Sequence, residues 1–239
     1  MPDDSGAREM IAADPAASTP ILVDVVYRRL MAAIIDCSLL PGQRIRQAEI
    51  AQTLGVSRAP VSHALQLLKY QGLLQDSGRR GLEVAPVDPD RVRDLYQVRA
   101  ALDAVAARLT AARCAEGRLS AADIALIDKA FESGMKLSAE TPMSVRVQAD
   151  IDFHHAIYLV SGNRSIAETL QPLWPHLQRA MVLVLQAHET RELAWREHRQ
   201  IMACILAGDP EGSAHAAYRH AANAGTQTEE RLRRAADGA

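Results

Sequence analysis

Apolar residues in the first third of the chain recur at helical spacing and then stop at a glycine. A first helix is predicted by three apolar residues on one face, Ile50, Ala51 and Leu54. Gly55 follows where a left-handed residue would close that helix, and Ser57 is the expected N-cap of a second helix over residues 58–71. The second helix tolerates Pro60 in its first turn. Its buried stripe is expected at Val61, Ala64, Leu65 and Leu68.

The flanking segments extend this motif to a winged helix-turn-helix. The spacing predicts a helix near residues 21–37 and short strands at 73–75 and 82–84, joined by a basic, glycine-rich turn at 76–81. The second helix of such a motif fits the major groove of DNA. A plain packing role, with a solvated polar face, is the alternative. The residues expected to face DNA are Arg46, Ser57, Arg58, Ser62, His63, Arg79, Arg80 and Gly81.

Beyond residue 86 the apolar positions keep a helical period, and no alternating strand pattern is found. Helices are expected at 91–115, 120–138, 143–161, 164–187, 190–207 and 210–235. Glycines separate several of them, at Gly117, Gly162 and Gly208, and Ser120 and Asp209 are the expected caps. The sequence therefore predicts a mainly α protein, with an N-terminal winged helix-turn-helix and a C-terminal antiparallel helical bundle.

The expected domain organisation follows from these patterns. Residues 1–18 are interpreted as a flexible tail and residues 19–86 as the DNA-binding domain. Two prolines within four residues predict a linker at 87–91, because proline resists helix formation. Residues 92–235 are expected to form the helical domain.

Charge and cysteine content narrow the classes of protein that fit. The net charge is −2 over 239 residues, yet residues 21–86 carry eight Lys and Arg against five Asp and Glu, a local balance of +3. A basic patch on a near-neutral chain suits site-specific DNA binding. Three separated cysteines indicate a reducing, cytoplasmic setting, and neither a membrane span nor a signal peptide is apparent.

Four residues of the helical part form a candidate metal site. Asp150 and His154 are i, i+4 on one predicted helix, while His198 and His220 lie on two others. Three imidazoles and one carboxylate suit zinc, nickel, manganese or a similar divalent ion. A surface hydrogen bond between Asp150 and His154, with ordinary packing histidines elsewhere, is the alternative. Four other histidines are interpreted as structural or exposed: His155, His176, His188 and His215.

The N-terminal part resembles the DNA-binding domain of the GntR family of bacterial transcription regulators. The resemblance is carried by LPGQRI at 40–45, LGVSRAPV at 54–61, Gly72-Leu73 and Gly81, within residues 21–86. It implies that Arg58 contacts phosphate or a base and that the start of helix 58–71 lies in the groove. The family usually has Arg-Glu where this chain has Ser62-His63, so the operator sequence of relatives does not transfer.

Residues 92–235 resemble the all-helical FCD ligand-binding domain of the FadR-like branch of that family. The matching segments are VRAALD at 98–103, DIDFH at 150–154, SGN at 161–163, EHRQI at 197–201, Gly208-Asp209 and His220. The resemblance implies a divalent metal, most readily zinc, on Asp150, His154, His198 and His220, and a small carboxylate effector. Arg99 corresponds to an arginine that can face the effector; a salt bridge to Asp103 is its alternative role.

The expected function is a homodimeric, DNA-binding regulator whose operator affinity a small carboxylate controls, with repression relieved by the effector as the commoner direction. It is not expected to be an enzyme. Two other readings remain open: a metal-dependent hydrolase, and a DNA-binding protein with a purely structural metal. Against the hydrolase, Glu197 is expected to point about 100° around the helix from His198, which makes it a poor general base.

Overall fold

The computed structural model describes residues 19–78, 81–184 and 188–237, and the predicted tail at 1–18 lies outside these ranges. The chain divides into two compact units, Met1–Pro86 and Val87–Ala239. In their described parts, the first holds three helices and a small sheet, and the second holds helices and no strand. This architecture confirms the mainly α prediction.

The N-terminal unit is a helix-turn-helix with a three-stranded sheet. Its elements are α1 (Thr19–Ile35), β1 (Arg44–Ile45), α2 (Gln47–Leu54), α3 (Arg58–Tyr70), β2 (Leu74–Ser77) and β3 (Gly81–Val84). Helix α3 packs against both α1 and α2. The predicted stripe on α3 is fully buried, together with Val26, Leu30 and Ile34 from α1. Burial of this stripe leaves the opposite face of α3 exposed.

The turn between α2 and α3 follows the sequence prediction with one correction. Gly55 has φ of 64° and donates its N–H to the last turn of α2, so the left-handed closure is confirmed. Ser57 occupies the N-cap position of α3 with an extended backbone, but its side chain makes no capping hydrogen bond. The predicted side-chain cap is therefore absent: Pro60, the third residue of the helix, has no N–H to donate, and the hydroxyl does not accept the N–H of Ala59.

The sheet contains a strand that the sequence did not reveal. Strand β1 pairs antiparallel with β3, with Arg44 opposite Glu83, and β3 also pairs with β2, which gives the order β1-β3-β2. Two residues are too few for an alternating pattern to be recognised. The pairing of β1 with β3 attaches the segment that follows α1 to the hairpin formed by β2 and β3.

The second unit contains seven helices within the part of the chain that the structure describes. They are α4 (Pro89–Ala115), α5 (Ala121–Met135), α6 (Met143–Val160), α7 (Arg164–Leu170), α8 (Trp174–Val184), α9 (His188–Leu206) and α10 (Pro210–Asp237). The longest two, α4 and α10, have the most extensive mutual packing. Helices α6 and α9 also contact α4, so the interior is lined by elements distant in sequence.

Two predicted boundaries change because of proline. Helix α4 begins at Pro89, inside the expected linker, since proline suits the first helical position and Asp88 caps it by accepting the N–H of Asp90 at 3.0 Å. The single helix expected over 164–187 is two helices, α7 and α8, separated at residues 171–173. Pro172 lies in that break and lacks the N–H that a continuous helix needs.

Both predicted caps of the helical unit are present. Ser120 forms a reciprocal capping box with Asp123 at the start of α5. The Asp209 carboxylate accepts the N–H of Gly212 at 2.9 Å in the first turn of α10. No helix among the described residues is both long enough and apolar enough to cross a bilayer.

Helix α5 approaches the aromatic centre of this unit through a glycine. A Cβ on Gly134 would lie only 1.9 Å from the nearest carbon of Trp195. The Trp195 ring lies edge-on to Phe131 at 5.6 Å between centroids and to His198 at 4.8 Å. The absence of a side chain at Gly134 therefore lets Trp195 pack next to a histidine of the candidate site.

We predict that Gly134→Ala lowers the free energy of unfolding of the helical unit by about 1–3 kcal/mol, because the added methyl overlaps Trp195. Helix propensity alone would predict the opposite sign, a gain of up to about 1 kcal/mol. Urea unfolding followed by tryptophan fluorescence measures it, since both tryptophans, Trp174 and Trp195, are in this unit. Ser133→Ala, at the exposed neighbouring position, is the control and should change stability by less than about 0.5 kcal/mol. An unchanged or more stable Gly134→Ala protein would contradict the packing argument.

Candidate metal and effector site

The structure brings the four predicted metal-ligand residues together. Asp150, His154, His198 and His220 each offer one ligand atom, and these atoms all lie within 4.8 Å of one another. The Nε2 atoms of His198 and His220 are 3.0 Å apart. Asp150 places one carboxylate oxygen 3.3 Å from the His198 Nε2 and the other 3.9 Å from the His154 Nε2. Helices α6, α9 and α10 therefore converge on one point.

Burial distinguishes this cluster from an ordinary surface group. All three histidines are buried, and the Asp150 side chain keeps 19% of its surface exposed. A surface hydrogen bond between Asp150 and His154, the alternative considered from sequence, does not describe this arrangement. The carboxylate instead lies among three ring nitrogens.

The outward ring nitrogens of two histidines contact carboxylates. The Nδ1 of His154 is 3.4 Å from Asp103, and the Nδ1 of His220 donates to Glu197 at 2.8 Å. Such contacts fix the tautomer, so that Nε2 keeps a lone pair directed into the cluster. Glu197, expected about 100° around the helix from His198, contacts the outward Nδ1 of His220. Helix α10 packs against α9 and carries His220 to the side where Glu197 projects.

Asp103 is a buried residue that contacts three side chains, whereas the sequence indicated only its salt bridge with Arg99. Its carboxylate accepts a hydrogen bond from the Tyr158 hydroxyl and one from the Arg99 Nε at 3.3 Å, besides its contact with His154. Burial raises the pKa of the Asp103 carboxyl, and Arg99 and the Tyr158 hydrogen bond oppose that rise. The available signal was the i, i+4 spacing of Arg99 and Asp103 on one helix.

The electrostatics favour the neutral form of His154 and His198, the form in which imidazole binds a metal. Burial lowers the pKa of His154 well below its usual value, and Arg99 and the neighbouring imidazoles lower it further. The pKa of His198 is also lowered well below its usual value, by burial first and then by His220 and Arg99. Burial works to raise the pKa of Glu197, but hydrogen bonds from His220 and Asn223 lower it overall.

The residues present fit a divalent cation. The buried Nε2 of His154 has no hydrogen-bond partner among the described residues, although it points into a group of possible ligands. An unpartnered buried nitrogen costs about 1–3 kcal/mol, which a metal bond would offset. Three neutral imidazoles and one carboxylate are a donor set that zinc accepts.

Arg99 makes the salt bridge to Asp103 that was considered from sequence, and it also lines a cavity. It is 1% exposed and its Nε donates to Asp103, while its Nη2 lies 3.8 Å from Asp150 and has no hydrogen-bond partner among the described residues. Its guanidinium carbon lies 4.7 Å from the Trp174 ring centroid. Burial works against the charged form, but Asp103 and Tyr158 raise the pKa of Arg99 above its usual value. The Arg99 guanidinium therefore stays positively charged in the interior of the helical unit.

A cavity of about 90 Å³ adjoins the cluster. Asp150, His220 and Arg99 line one part of it, and Glu197 and Arg146 also reach its wall. The remainder is mostly apolar and includes Met143, Val147, Met181, Leu193, Trp195 and Ala224. Two members of the cluster, Asp150 and His220, therefore border this cavity.

The other histidines are placed outside the cluster where they are described. His176 is buried on α8, His155 is half-buried on α6, and His215 is exposed on α10. The side chain of His188 lies outside the described part of the chain.

The described residues among those expected to face DNA lie on α3, at its start, just before α2 and at the start of β3. Arg58 and His63 are exposed on α3, and Ser62 between them is half-buried. Arg46 is exposed just before α2 and pairs with Glu49 at 2.8 Å. Ser57 is exposed at the start of α3, and Gly81 begins β3. Arg79 and Arg80, predicted at the wing tip, lie outside the described residues.

Comparison with known proteins identifies the family. The FCD domain profile matches residues 94–223, and the profile of bacterial regulatory proteins of the gntR family matches residues 22–84. The chain belongs to the GntR family. This GntR regulator is thus a DNA-binding protein with an FCD domain, of a family that consists of transcription regulators rather than enzymes. The hydrolase alternative is therefore set aside.

The relatives of this GntR regulator carry consistent descriptions. It is 30% identical, over 77% of its length and 75% of the relative's, to an uncharacterized HTH-type transcriptional regulator of Streptomyces ambofaciens. It is 24% identical to the HTH-type transcriptional repressor RspR of Escherichia coli, over 82% of its length and 83% of RspR. A GntR regulator structure from Rhodococcus sp. RHA1 superposes with a TM-score of 0.73 at 22% identity, covering 86% and 96% of the two chains. The last comparison shows a shared fold.

We predict that metal-free protein loses about 2–4 kcal/mol of unfolding free energy when the pH is lowered from about 7.5 to about 5. The pKa values of His154 and His198 are depressed in the folded state by burial, whereas unfolding restores them to about 6.5. The unfolded chain therefore binds these protons first, so this contribution to stability is lost as the pH falls below about 6.5. Urea unfolding with chelator present, followed by tryptophan fluorescence, measures the change.

The control for this prediction is a pair of histidine variants. His198→Gln removes one of the two titrating groups and should reduce the pH dependence by about half. His215→Gln, at an exposed position of α10, should leave it unchanged. A wild-type stability that is flat across this pH range would contradict the argument from burial.

Proposed function

We propose that this GntR regulator is a homodimeric repressor whose affinity for an operator is controlled by a small carboxylate bound beside a divalent metal in its FCD domain. The observation that carries the proposal is the convergence of three buried histidines and one carboxylate beside a cavity. FCD domains are often metal-binding. The relative RspR is described as a repressor, which supports the direction of control.

The DNA-binding part of the proposal is supported by the exposure of α3. Its apolar stripe is buried against α1 and α2, which leaves Arg58, His63 and part of Ser62 at the surface. A guanidinium at the N-terminal end of a recognition helix can reach phosphates or guanine edges. The short hydroxyl of Ser62 reads fewer base positions than a long side chain would, so the operator is expected to differ from those of relatives.

The metal part assigns a role to each residue. Asp150, His154, His198 and His220 would hold the ion, while Asp103 and Glu197 orient His154 and His220 through their outward nitrogens. A bound divalent ion supplies positive charge and open coordination positions for an anionic ligand. Zinc suits the donor set best, and nickel or manganese is an alternative.

The charges near the cavity favour an anionic ligand only when a bound divalent cation is included. Two arginines near the cavity, Arg99 and Arg146, are opposed by three carboxylates, those of Asp103, Asp150 and Glu197. These side chains alone carry one more negative than positive charge, and a divalent ion reverses the balance. Binding of a carboxylate is therefore expected to depend on the metal.

Coupling to DNA is supported by the position of α4 in the chain. This helix carries Arg99 and begins at Pro89, only a few residues after the unit boundary at Pro86. A ligand that repositions Arg99 or the helices bearing the cluster acts directly on the helix joined to the DNA-binding unit. Couplings of this kind are typically about 1–3 kcal/mol. In a dimer, such a shift would change the separation of the two DNA-binding units. That separation must match half-sites about 34–36 Å apart, or a multiple of this distance.

A purely structural metal is the second candidate. The cluster alone would serve equally well to join α6, α9 and α10. The adjoining cavity favours the effector reading, because a structural site is normally closed by protein ligands and has no need of one.

For DNA binding, Arg58→Ala should weaken affinity for DNA from upstream of the protein's own gene by about tenfold and reduce the salt dependence by about one counterion. Fluorescence anisotropy at several salt concentrations measures both effects. The control is Arg234→Ala, an exposed arginine of α10, which should bind as the wild type does. Equal affinity of the Arg58→Ala and wild-type proteins would contradict the proposal that α3 forms the DNA interface.

For the metal, Glu197→Gln should weaken zinc affinity by about tenfold, because His220 loses its carboxylate partner. His198→Ala removes a proposed ligand and should cause a greater loss. Competition with a fluorescent chelator measures zinc affinity, and Glu192→Gln, exposed on the same helix, is the control. Zinc affinity equal to wild type in His198→Ala would place the metal elsewhere.

The same His198→Ala protein tests control by an effector. Zinc-loaded wild-type protein on its DNA is titrated with a panel of small carboxylic acids, and one class should release the DNA. His198→Ala should lose that response, whereas His215→Ala should keep it. If chelator alters DNA binding but no acid does, the metal is structural.

A further inference from the structure

The residues that line the cavity indicate more about the ligand than its negative charge. Three of the lining residues, Arg99, Asp150 and His220, belong to the cluster or contact it. Most of the remaining surface of the wall is apolar and includes Met143, Val147, Met181, Leu193, Trp195 and Ala224, while its polar members are Tyr96, Arg146, Glu197, Gln227 and Thr228. Val147, Met181 and Trp195 are themselves buried, so this apolar part of the wall belongs to the core. The cavity is therefore bordered by the cluster and by a wall whose surface is mostly apolar.

Such a wall discriminates against polyhydroxylated acids. Each hydroxyl moved from water onto an apolar surface without a partner costs about 1–3 kcal/mol. A sugar acid or a hydroxylated tricarboxylate would direct several polar groups at Val147, Met181 and Trp195. A methyl group or an aromatic ring at the same place gains contact instead.

The volume limits the size of the apolar part. The cavity measures about 90 Å³, below the ~150 Å³ of an engineered apolar cavity that accepts benzene. An aromatic ring therefore requires some adjustment of the lining side chains, a short branched chain requires less, and a long acyl chain exceeds the space.

The orientation of the ligand follows from the two arginines. Arg99 is fully buried and directs an Nη2 that lacks a hydrogen-bond partner among the described residues towards Asp150 at 3.8 Å. Arg146 is only half-buried and lies one turn before Asp150 on α6, about 6 Å along the helix axis. A carboxylate is more strongly favoured beside the buried arginine, where water screens least.

We propose that the effector is a monocarboxylic acid with a small apolar body, aromatic or branched aliphatic, whose carboxylate lies beside Arg99 and Asp150. Its body packs on Val147, Met181, Leu193 and Trp195. This inference rests on the proposed function, because it assigns the chemical class of the effector to that same site.

The test compares two chemical classes of acid on zinc-loaded protein. Benzoate and 4-methylpentanoate represent apolar acids, and gluconate and citrate represent polar ones, with excess zinc maintained so that chelation by citrate is controlled. Calorimetry measures binding, and anisotropy measures release of DNA from upstream of the protein's own gene. We expect the apolar acids to bind at least about tenfold more tightly than the polar acids.

Two leucines of α9 provide a matched pair of variants. Leu193 lines the cavity and is 38% exposed, whereas Leu206 does not line it and is 43% exposed. Leu193→Asn should weaken benzoate binding by about five- to tenfold. Leu206→Asn should bind benzoate as the wild type does, which separates loss of the wall from a general effect on the fold.

The outcomes distinguish this inference from the proposed function. Tighter binding of gluconate or citrate, with release of DNA, would overturn the apolar effector and leave an effector-controlled regulator in place. Tighter binding of the apolar acids with unchanged DNA affinity would retain the ligand class and overturn the regulatory role. Equal loss of benzoate binding in Leu193→Asn and Leu206→Asn, or no binding of either apolar acid, would also overturn the inference.

Discussion

The helical unit is organised around one buried carboxylate, that of Asp103. A carboxylate taken out of water costs several kcal/mol unless it is paired and hydrogen-bonded. Here Arg99 supplies the opposite charge, Tyr158 donates a hydrogen bond and His154 approaches at 3.4 Å, so partners from α4 and α6 meet at one anion. This constraint fixes the orientation of Arg99 and of the His154 ring at the same time. Arg99, which lines the cavity, and His154, the first histidine of the cluster, are therefore both oriented by the Asp103 carboxylate.

The same principle extends to the far side of the cluster. Glu197 orients His220 as Asp103 orients His154, and Asn223 donates a further hydrogen bond to Glu197. His198 is placed mainly by packing, since it stacks on Phe153 at 4.4 Å and meets the edge of Trp195. Gly134 permits that position of Trp195. Two carboxylates and an aromatic cluster thus determine three imidazole orientations before any ligand is considered.

Sequence patterns predicted what depends on local spacing and missed what depends on tertiary packing. The turn at Gly55, the stripe on α3 and the cap at Ser120 follow from residues a few positions apart, and the structure contains each of them. The contact between Glu197 and His220 joins two helices, so the helical wheel of α9 alone could not reveal it. Strand β1 exists only because β3 lies beside it. The prolines at 89 and 172 were each misjudged because the effect of proline depends on its position within a helix.

The cavity and the cluster together explain why a polar centre is retained in an otherwise apolar bundle. A core built only for stability would fill this space with aliphatic side chains and would leave no buried nitrogen without a partner. This chain instead keeps the His154 Nε2 and the Arg99 Nη2 unpartnered within its described part, beside about 90 Å³ of accessible space. Under the proposed function, a bound cation and a bound anion would offset the cost of those groups. Ligand binding would then stabilise one arrangement of α4, α6, α9 and α10 over others, and α4 follows the DNA-binding unit along the chain. The groups that are unfavourable without ligand would in that case be the ones that allow the ligand to shift the conformation.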